Sequence, residues 1–126
     1  CHGWMTSLIP FYLKTVYKDE PIFNNAKVVY SLYNNSFEKT FDKRFLNKAS
    51  INNLQPEDLK SFVNGRGGIK LHKGALEHAD AVIKGSDKYE RGIAKEVSGI
   101  SKPVLEYQDE DSYLPAYIDF YKTLLQ

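Results

Sequence analysis

Cysteine is almost missing from this chain. Its single thiol, Cys1, leaves no internal disulfide possible, and that usage fits a reducing, cytoplasmic setting. No apolar run approaches the ~20 residues that cross a bilayer as a helix. The N-terminus has neither a basic segment nor a small-residue cleavage pattern, so it does not read as a secretory signal. An excess of one charge is missing too: 17 basic residues face 16 acidic ones, for a net +1. The charges are interspersed, as in Lys18-Asp19-Glu20 and Asp42-Lys43-Arg44, so no basic stripe offers itself to a nucleic acid. Neither a nucleic-acid nor a membrane partner is expected. Internal repeats and low-complexity tracts are absent. Metal-ligating patterns are also lacking. His72 and His78 lie six apart, which does not place them on one helical face, and no cysteine or carboxylate cluster joins them. There is no Gly-x-Ser-x-Gly elbow, and the lone cysteine has no evident histidine partner, so hydrolase chemistry has no support.

What is present is enough chain for one domain, 126 residues, able to bury roughly two-thirds of its unfolded surface. Nine Tyr and seven Phe stand beside one Trp. Tyrosine in such numbers suits core margins, or surfaces that meet sugars and partners. The chain opens without a methionine on the polar turn Cys1-His2-Gly3-Trp4, and so reads as the interior of a longer polypeptide.

Apolar spacing predicts a helix over Thr6–Tyr17, with Leu8, Phe11, Leu13 and Val16 as its stripe, Thr6 or Ser7 as its cap and Pro10 tolerated in its first turn. The β-branched and aromatic run over Ala26–Tyr33 predicts a buried strand, and Asn34-Asn35-Ser36 a loop. Residues 36–63 read as an irregular excursion with a short helix after Pro56. The turn Gly65-Arg66-Gly67-Gly68 leads into a helix over Ile69–His78, with Ile69, Leu71, Leu76 and Ala79 facing inward. Asp80–Ile83 is a second strand. Ser86 is read as the N-cap of a helix reaching about Lys95, with Tyr89, Ile93 and Ala94 inward. After a turn at Ser98–Lys102, Pro103–Tyr107 is a third strand. A last helix starts at Asp111 or Ser112, with Leu114, Ile118, Tyr121 and Leu125 at helical spacing. Helices alternating with short apolar strands predict a parallel α/β sheet with flanking helices, a partial Rossmann-like fold. Three strands are few for such a sheet, and the others are expected to precede Cys1.

In open α/β sheets, ligands sit beyond the carboxyl ends of the strands. Cys1-His2-Gly3-Trp4, Tyr33-Asn34-Asn35 and Gly85-Ser86-Asp87 all fall there. His2 either hydrogen-bonds a substrate hydroxyl or pins its own loop. Trp4 either stacks on a sugar or packs beneath the loop. The Gly65–Gly68 turn either holds an anion on free amides at a helix entry or is a plain turn; it lacks the Gly-Lys-Ser/Thr ending of a phosphate-binding loop.

Together these segments resemble the bacterial glycogen/starch synthases. That family carries His-Asp-Trp-His before a Leu-x-Pro-x-Tyr-Leu helix, and here His2-Gly3-Trp4-Met5 precedes Leu8-Ile9-Pro10-Phe11-Tyr12-Leu13. The family's Lys-Ser-Val-Phe-Thr-x-His-Asn-Leu strand resembles Lys27-Val28-Val29-Tyr30-Ser31-Leu32-Tyr33-Asn34-Asn35. Its Gly-x-Ile helix ending in Ala-Asp resembles Gly67 through Asp80, and its Val-Ser-Pro-x-Tyr-Ala turn resembles Gly85-Ser86-Asp87-Lys88-Tyr89-Glu90. The similarity runs to about Ile93. It implies a GT-B architecture of two Rossmann-like domains, and retaining transfer of glucose from ADP-glucose to an α-1,4-glucan. No cofactor is implied. On that basis, residues 1–126 are expected to be the C-terminal portion of the N-terminal, acceptor-side domain, with the donor domain absent. His2, Trp4, Tyr33 and Asn34 would bind substrate, and no catalytic residue is assigned. The expected partner is an α-glucan or maltooligosaccharide, with ADP-glucose only where a donor domain is present, and a homo-oligomer is a further expectation. Departures from the pattern are Gly3, Met5, Tyr33 and Asp87; methionine cannot donate the hydrogen bond of the family's imidazole. They leave open the alternative of a non-catalytic, single-domain glucan-binding or partner-binding module.

Overall fold

A computed structural model describes residues 1–35, 41–42 and 44–126; Ser36 and the start of the 36–63 excursion lie outside the described residues. The helices are α1 (Leu8–Lys14), α2 (Phe45–Ala49), α3 (Leu71–His78), α4 (Arg91–Ser98) and α5 (Tyr113–Leu125). The strands are β1 (Val29–Leu32), β2 (Ala81–Lys84) and β3 (Val104–Leu105). They form one parallel sheet in the order β1-β2-β3. Val29 through Leu32 pair with Ala81 through Lys84, and Val82 and Ile83 pair with Val104 and Leu105. The mixed α/β fold with a parallel sheet is therefore as the sequence predicts. The chain's first residues extend the ladder: Ser31 N–H donates to the Cys1 carbonyl at 2.8 Å, and Gly3 N–H donates to the Ser31 carbonyl at 2.9 Å. His2 pairs in parallel with Ser31.

Two apolar clusters hold the layers together. Tyr30, Leu32 and Val82 on the sheet meet Ala75, Leu76, Ala79 and Ile93 on and beside α3 and α4. Phe11, Ala49, Leu59, Phe62 and Leu71 form a second cluster, with Trp4 packed on its margin. Alternation along β1 explains the first, since Tyr30 and Leu32 point to the same face. The N-terminal edge of the sheet is tied by Asp80, whose carboxylate accepts from Lys14 Nζ and from Val28 N–H, both at 2.7 Å. Lys102 donates to the carbonyls of Leu76 and Ala79 at 2.8 and 2.6 Å, satisfying groups that the end of α3 leaves without helical partners.

Several expectations are corrected. The predicted Thr6–Tyr17 helix is a 3-10 turn over Trp4–Thr6 followed by the shorter α1, and neither Thr6 nor Ser7 caps it through its side chain. Thr6 Oγ1 donates instead to the Gly3 carbonyl at 3.2 Å. The helix predicted from Ile69 starts at Leu71, because Ile69 pairs with Val63 in an antiparallel bridge. The glycine turn between them is closed by Asn64 Oδ1, which accepts from Arg66 N–H at 3.0 Å and Gly68 N–H at 2.8 Å. Those amides are committed, so the plain-turn reading holds there. The 36–63 excursion carries α2, which the sequence did not suggest, besides the expected helical segment over Pro56–Phe62, which is of the 3-10 type.

The last helix forms where it is expected, capped at Ser112. Leu114, Ile118, Tyr121 and Leu125, the stripe read from spacing, are 58, 45, 40 and 78% exposed. The half-buried positions are Ala116, Tyr117, Phe120 and Leu124. Both sets recur at three and four residues, so periodicity cannot choose between them.

Candidate functional site

Three loops meet at the carboxyl end of the sheet. The first turns at Gly3, buried and at φ 67, a conformation that glycine adopts at little cost. It presents His2 outward, with Nδ1 3.2 Å from the Tyr33 hydroxyl and the two rings 6.3 Å apart. Burial pushes the His2 imidazole below its ordinary range, which favours the neutral ring, with one nitrogen donating and the other accepting. Trp4 is half-buried against the Phe11–Phe62 cluster, and Met5 is 78% exposed beside it.

The second loop leaves β1. The Tyr33 ring lies across the backbone of Gly85, where an added Cβ would sit 2.5 Å from Tyr33 Cε1. Gly85 N–H donates to the Leu32 carbonyl at 2.8 Å, which fixes the two strand exits side by side. Asn34 binds at both ends: its N–H donates to Ser86 Oγ at 3.0 Å, and its Oδ1 accepts from Glu90 N–H at 2.8 Å.

The third loop is where the Ser86 expectation fails. Ser86 caps no helix. Glu90 occupies the N-cap of α4, which runs Arg91–Ser98 rather than to about Lys95. The Ser86 hydroxyl is engaged by Asn34, and its N–H donates to the Tyr89 hydroxyl at 3.2 Å. That hydroxyl in turn donates to the Leu32 carbonyl at 2.8 Å. Tyr89, expected on a helix, is thus the pin that holds the third loop to β1. Gly85 and Tyr89, which sequence reasoning placed in this turn but did not list as binding residues, hold the loops together. Their only advance signal is their place in the Gly-Ser-x-x-Tyr turn.

Beneath the second loop, His72 is 7% exposed. Its Nδ1 lies 2.8 Å from the Tyr30 hydroxyl, while Nε2 has no hydrogen-bonding partner among the described residues. Burial pushes the imidazole down; the Asn35 backbone offsets part of this without making a hydrogen bond of ordinary geometry. The folded protein resists protonation of His72, whereas the unfolded chain takes up a proton near pH 6.5. Stability should therefore be full above that pH and fall below it, until the depressed folded-state value is reached. Glu96, pushed up by burial, works in the opposite sense at lower pH. We expect urea unfolding to show a decline from pH 7 to 5, to which His2 and His78, also pushed down by burial, add in the same sense, and His72→Asn to make it shallower. An unchanged slope in that variant would remove His72 as a source of it.

Among the described residues, no three His, Cys, Asp or Glu side chains come together as a metal site, and no helix is long and apolar enough to cross a membrane.

The sequence matches the starch synthase catalytic domain family over residues 1–103. Glycogen synthase of Koribacter versatilis is 33% identical over 91 residues, covering 71% of this chain and 18% of that protein. Glycogen synthase of Thermotoga maritima is 31% identical over 116 residues, covering 89% of this chain and 23% of that protein. That of Thermosipho africanus is 29% identical over 115 residues, covering the same shares. The chain thus spans about a fifth of the length of the relatives it matches.

Proposed function

We propose, for a chain that belongs to the starch synthase catalytic domain family, that it forms the acceptor-side part of a glycogen/starch synthase-like glycosyltransferase and holds an α-glucan end against a donor sugar bound elsewhere. The observation that carries this reading is the meeting of the His2, Tyr33 and Ser86 loops at the carboxyl end of a parallel sheet, where open α/β folds bind ligands. His2 and Tyr33 offer hydroxyl-recognising polar atoms on adjacent rings. Asn34 keeps its amide nitrogen after its oxygen is spent on Glu90, and Trp4 borders the same turn. In this reading, residues 1–126 are the C-terminal portion of the N-terminal Rossmann-like domain, and ADP-glucose engages only where a donor domain accompanies them.

Retaining glucosyl transfer needs the donor phosphates neutralised and the sugar fixed against the acceptor, and one lost electrostatic contact costs on the order of a hundredfold. This chain by itself should therefore incorporate no label from ADP-glucose into glycogen, and Met5→His should not change that, since one imidazole supplies no donor site. The full-length protein should bind maltotriose by calorimetry, and His2→Ala or Tyr33→Ala should weaken that binding about fivefold, the scale of one hydrogen bond or aromatic contact. Absence of maltotriose binding sinks the proposal, as does labelled polymer made by residues 1–126 alone. Full-length protein that binds maltotriose but transfers no glucose favours the binding-module alternative raised by Gly3, Met5, Tyr33 and Asp87.

A further inference from the structure

The turn that leads into α3 carries the chain's only Asn-Gly pair, Asn64-Gly65. Asn64 is half-buried, while Gly65, Arg66 and Gly67 are exposed. The main chain closes on itself here. Gly67 N–H donates to the Asn64 carbonyl at 3.0 Å, and Asn64 N–H donates to the Gly68 carbonyl at 2.9 Å. Inside the turn the Asn64 side chain folds back over the backbone, and its Oδ1 accepts from Arg66 N–H at 3.0 Å and from Gly68 N–H at 2.8 Å. Both partners are donors, so the oxygen of the amide, not its nitrogen, occupies that place. The Gly65 N–H makes no hydrogen bond among the described residues.

This arrangement has the chemistry of an acyl-transfer centre. The Asn64 amide carbon and the Gly65 nitrogen are held together by the chain itself, so attack closes a five-membered ring and needs no encounter. Two backbone N–H groups already sit on the oxygen that would become negative, as donors do in an oxyanion hole. Gly65 brings no side chain to crowd the attack, and even an added Cβ there would meet nothing within 4 Å. Every other asparagine of the chain is followed by a residue with a side chain, and Asn34 Oδ1 accepts from the Glu90 N–H in place of its own turn.

We propose that Asn64 is a self-modifying site, whose folded turn promotes conversion of its side-chain amide to a carboxylic acid. The Gly65 nitrogen gives up its proton to water and bonds to Asn64 Cγ. The negative charge that forms on Oδ1 is held by the Arg66 and Gly68 N–H groups. The Cγ–Nδ2 bond then breaks, and Nδ2 leaves as ammonia, taking a proton from water. Water opens the resulting cyclic imide at one of its two ring carbonyls. Opening at Cγ restores the ordinary peptide with an aspartate at position 64. Opening at the main-chain carbonyl leaves an isoaspartyl link that runs through the side chain. In sum, one amide and one water give one acid and one ammonia, with no other reactant. The ordinary product keeps an oxygen on both N–H groups and adds a negative charge to the turn. The isoaspartyl product lengthens the main chain between Val63 and Ile69, whose bridge precedes α3.

The test keeps the full-length protein at mildly alkaline pH, where the Gly65 nitrogen loses its proton more readily. Mass spectrometry follows peptide 61–66, which trypsin releases at Lys60 and Arg66, and ion exchange registers the added charge. Asn64 should convert ahead of every other asparagine. It should convert on the order of tenfold faster in the folded protein than in urea, a fraction of what one oxyanion donor supplies in an enzyme. Gly65→Ala should abolish that lead with Tm unchanged, because Gly65 is not among the positive-φ glycines and its added methyl meets open space. Conversion that is faster in urea would show that the two hydrogen bonds shield the amide, and equal rates would show that they do not act on it. Either result overturns the proposal. So does a lead that survives in Gly65→Ala, or conversion in the folded protein no faster at Asn64 than at the other asparagines.

Discussion

Phe62→Ala should cost the fold about 3–5 kcal/mol, the range for removing a fully buried aromatic ring. Phe62 is 0% exposed, meets Phe11 edge to face at 5.6 Å and lies parallel to the His78 ring at 6.4 Å. Directly against it is Gly74 of α3, where an added Cβ would sit 2.2 Å from Phe62 Cδ1. Glycine inside a helix ordinarily costs about 1 kcal/mol relative to alanine; here it admits the ring. Gly74→Ala alone should therefore destabilise by about 1–3 kcal/mol despite its better helix propensity, because the ring has no room to retreat. In the Phe62→Ala background the same substitution should reverse sign, since a methyl then enters space that the ring has vacated. Urea unfolding of the four proteins closes a double-mutant cycle. Equal Gly74→Ala effects in both backgrounds would show that the ring and the glycine do not compete.

The runs Val28-Val29-Tyr30 and Ala81-Val82-Ile83 are short, apolar and flanked by polar residues, and a buried parallel strand follows from them directly. Helix starts were harder. Ser86 precedes a helical stretch in the manner of an N-cap, yet its hydroxyl is claimed by an amide 52 positions away, and the helix waits for Arg91. Local pattern has no means of registering that competitor. The same holds for Ile69, drawn into a bridge with Val63 instead of the first turn of α3. On α5, apolar residues on more than one side erase the contrast on which periodicity depends, and the stripe chosen from spacing is the one left exposed.

At the candidate site, alternation and an expected strand before Cys1 placed three loops beyond the strand ends and drew attention to His2 and Trp4, and the resemblance to glycogen/starch synthases gave His2, Trp4, Tyr33 and Asn34 their expected substrate-binding role. What joins these loops did not follow. Tyr89 reaches the Leu32 carbonyl across 57 positions, and Asn34 reaches Glu90 across 56. Each is a long-range hydrogen bond, one from a half-buried tyrosine and one to an exposed asparagine. A hydrogen bond of that kind leaves no spacing in the sequence, whereas a helix face or a strand does.

On the proposed acceptor-side reading, Gly85→Ala should weaken maltotriose binding by the full-length protein about thirtyfold, more than either His2→Ala or Tyr33→Ala alone. Gly85 has no left-handed backbone conformation to protect among the chain's positive-φ glycines, which are Gly3 and Gly67. The effect must therefore come from space. A methyl at Gly85 would lie 2.5, 2.7 and 2.9 Å from Cε1, Cδ1 and Cζ of Tyr33, and the half-buried ring can yield only by swinging off the Gly85 backbone. That movement takes the Tyr33 hydroxyl away from His2 Nδ1, now 3.2 Å distant, so ring and imidazole lose their arrangement together. One hydrogen bond and one aromatic contact are each worth about 1 kcal/mol, and about 2 kcal/mol corresponds to roughly thirtyfold in Kd. The misplaced ring should also do harm that its deletion does not, by obstructing the site. Gly85→Ala combined with Tyr33→Ala should accordingly bind better than Gly85→Ala alone, returning to the level of Tyr33→Ala. The thermal midpoint should fall only slightly in Gly85→Ala, because Tyr33 is half-exposed and can relax into solvent. Wild-type maltotriose affinity in Gly85→Ala would show that the position of the Tyr33 ring does not govern sugar binding, and would detach Gly85 and Tyr33 from the site together.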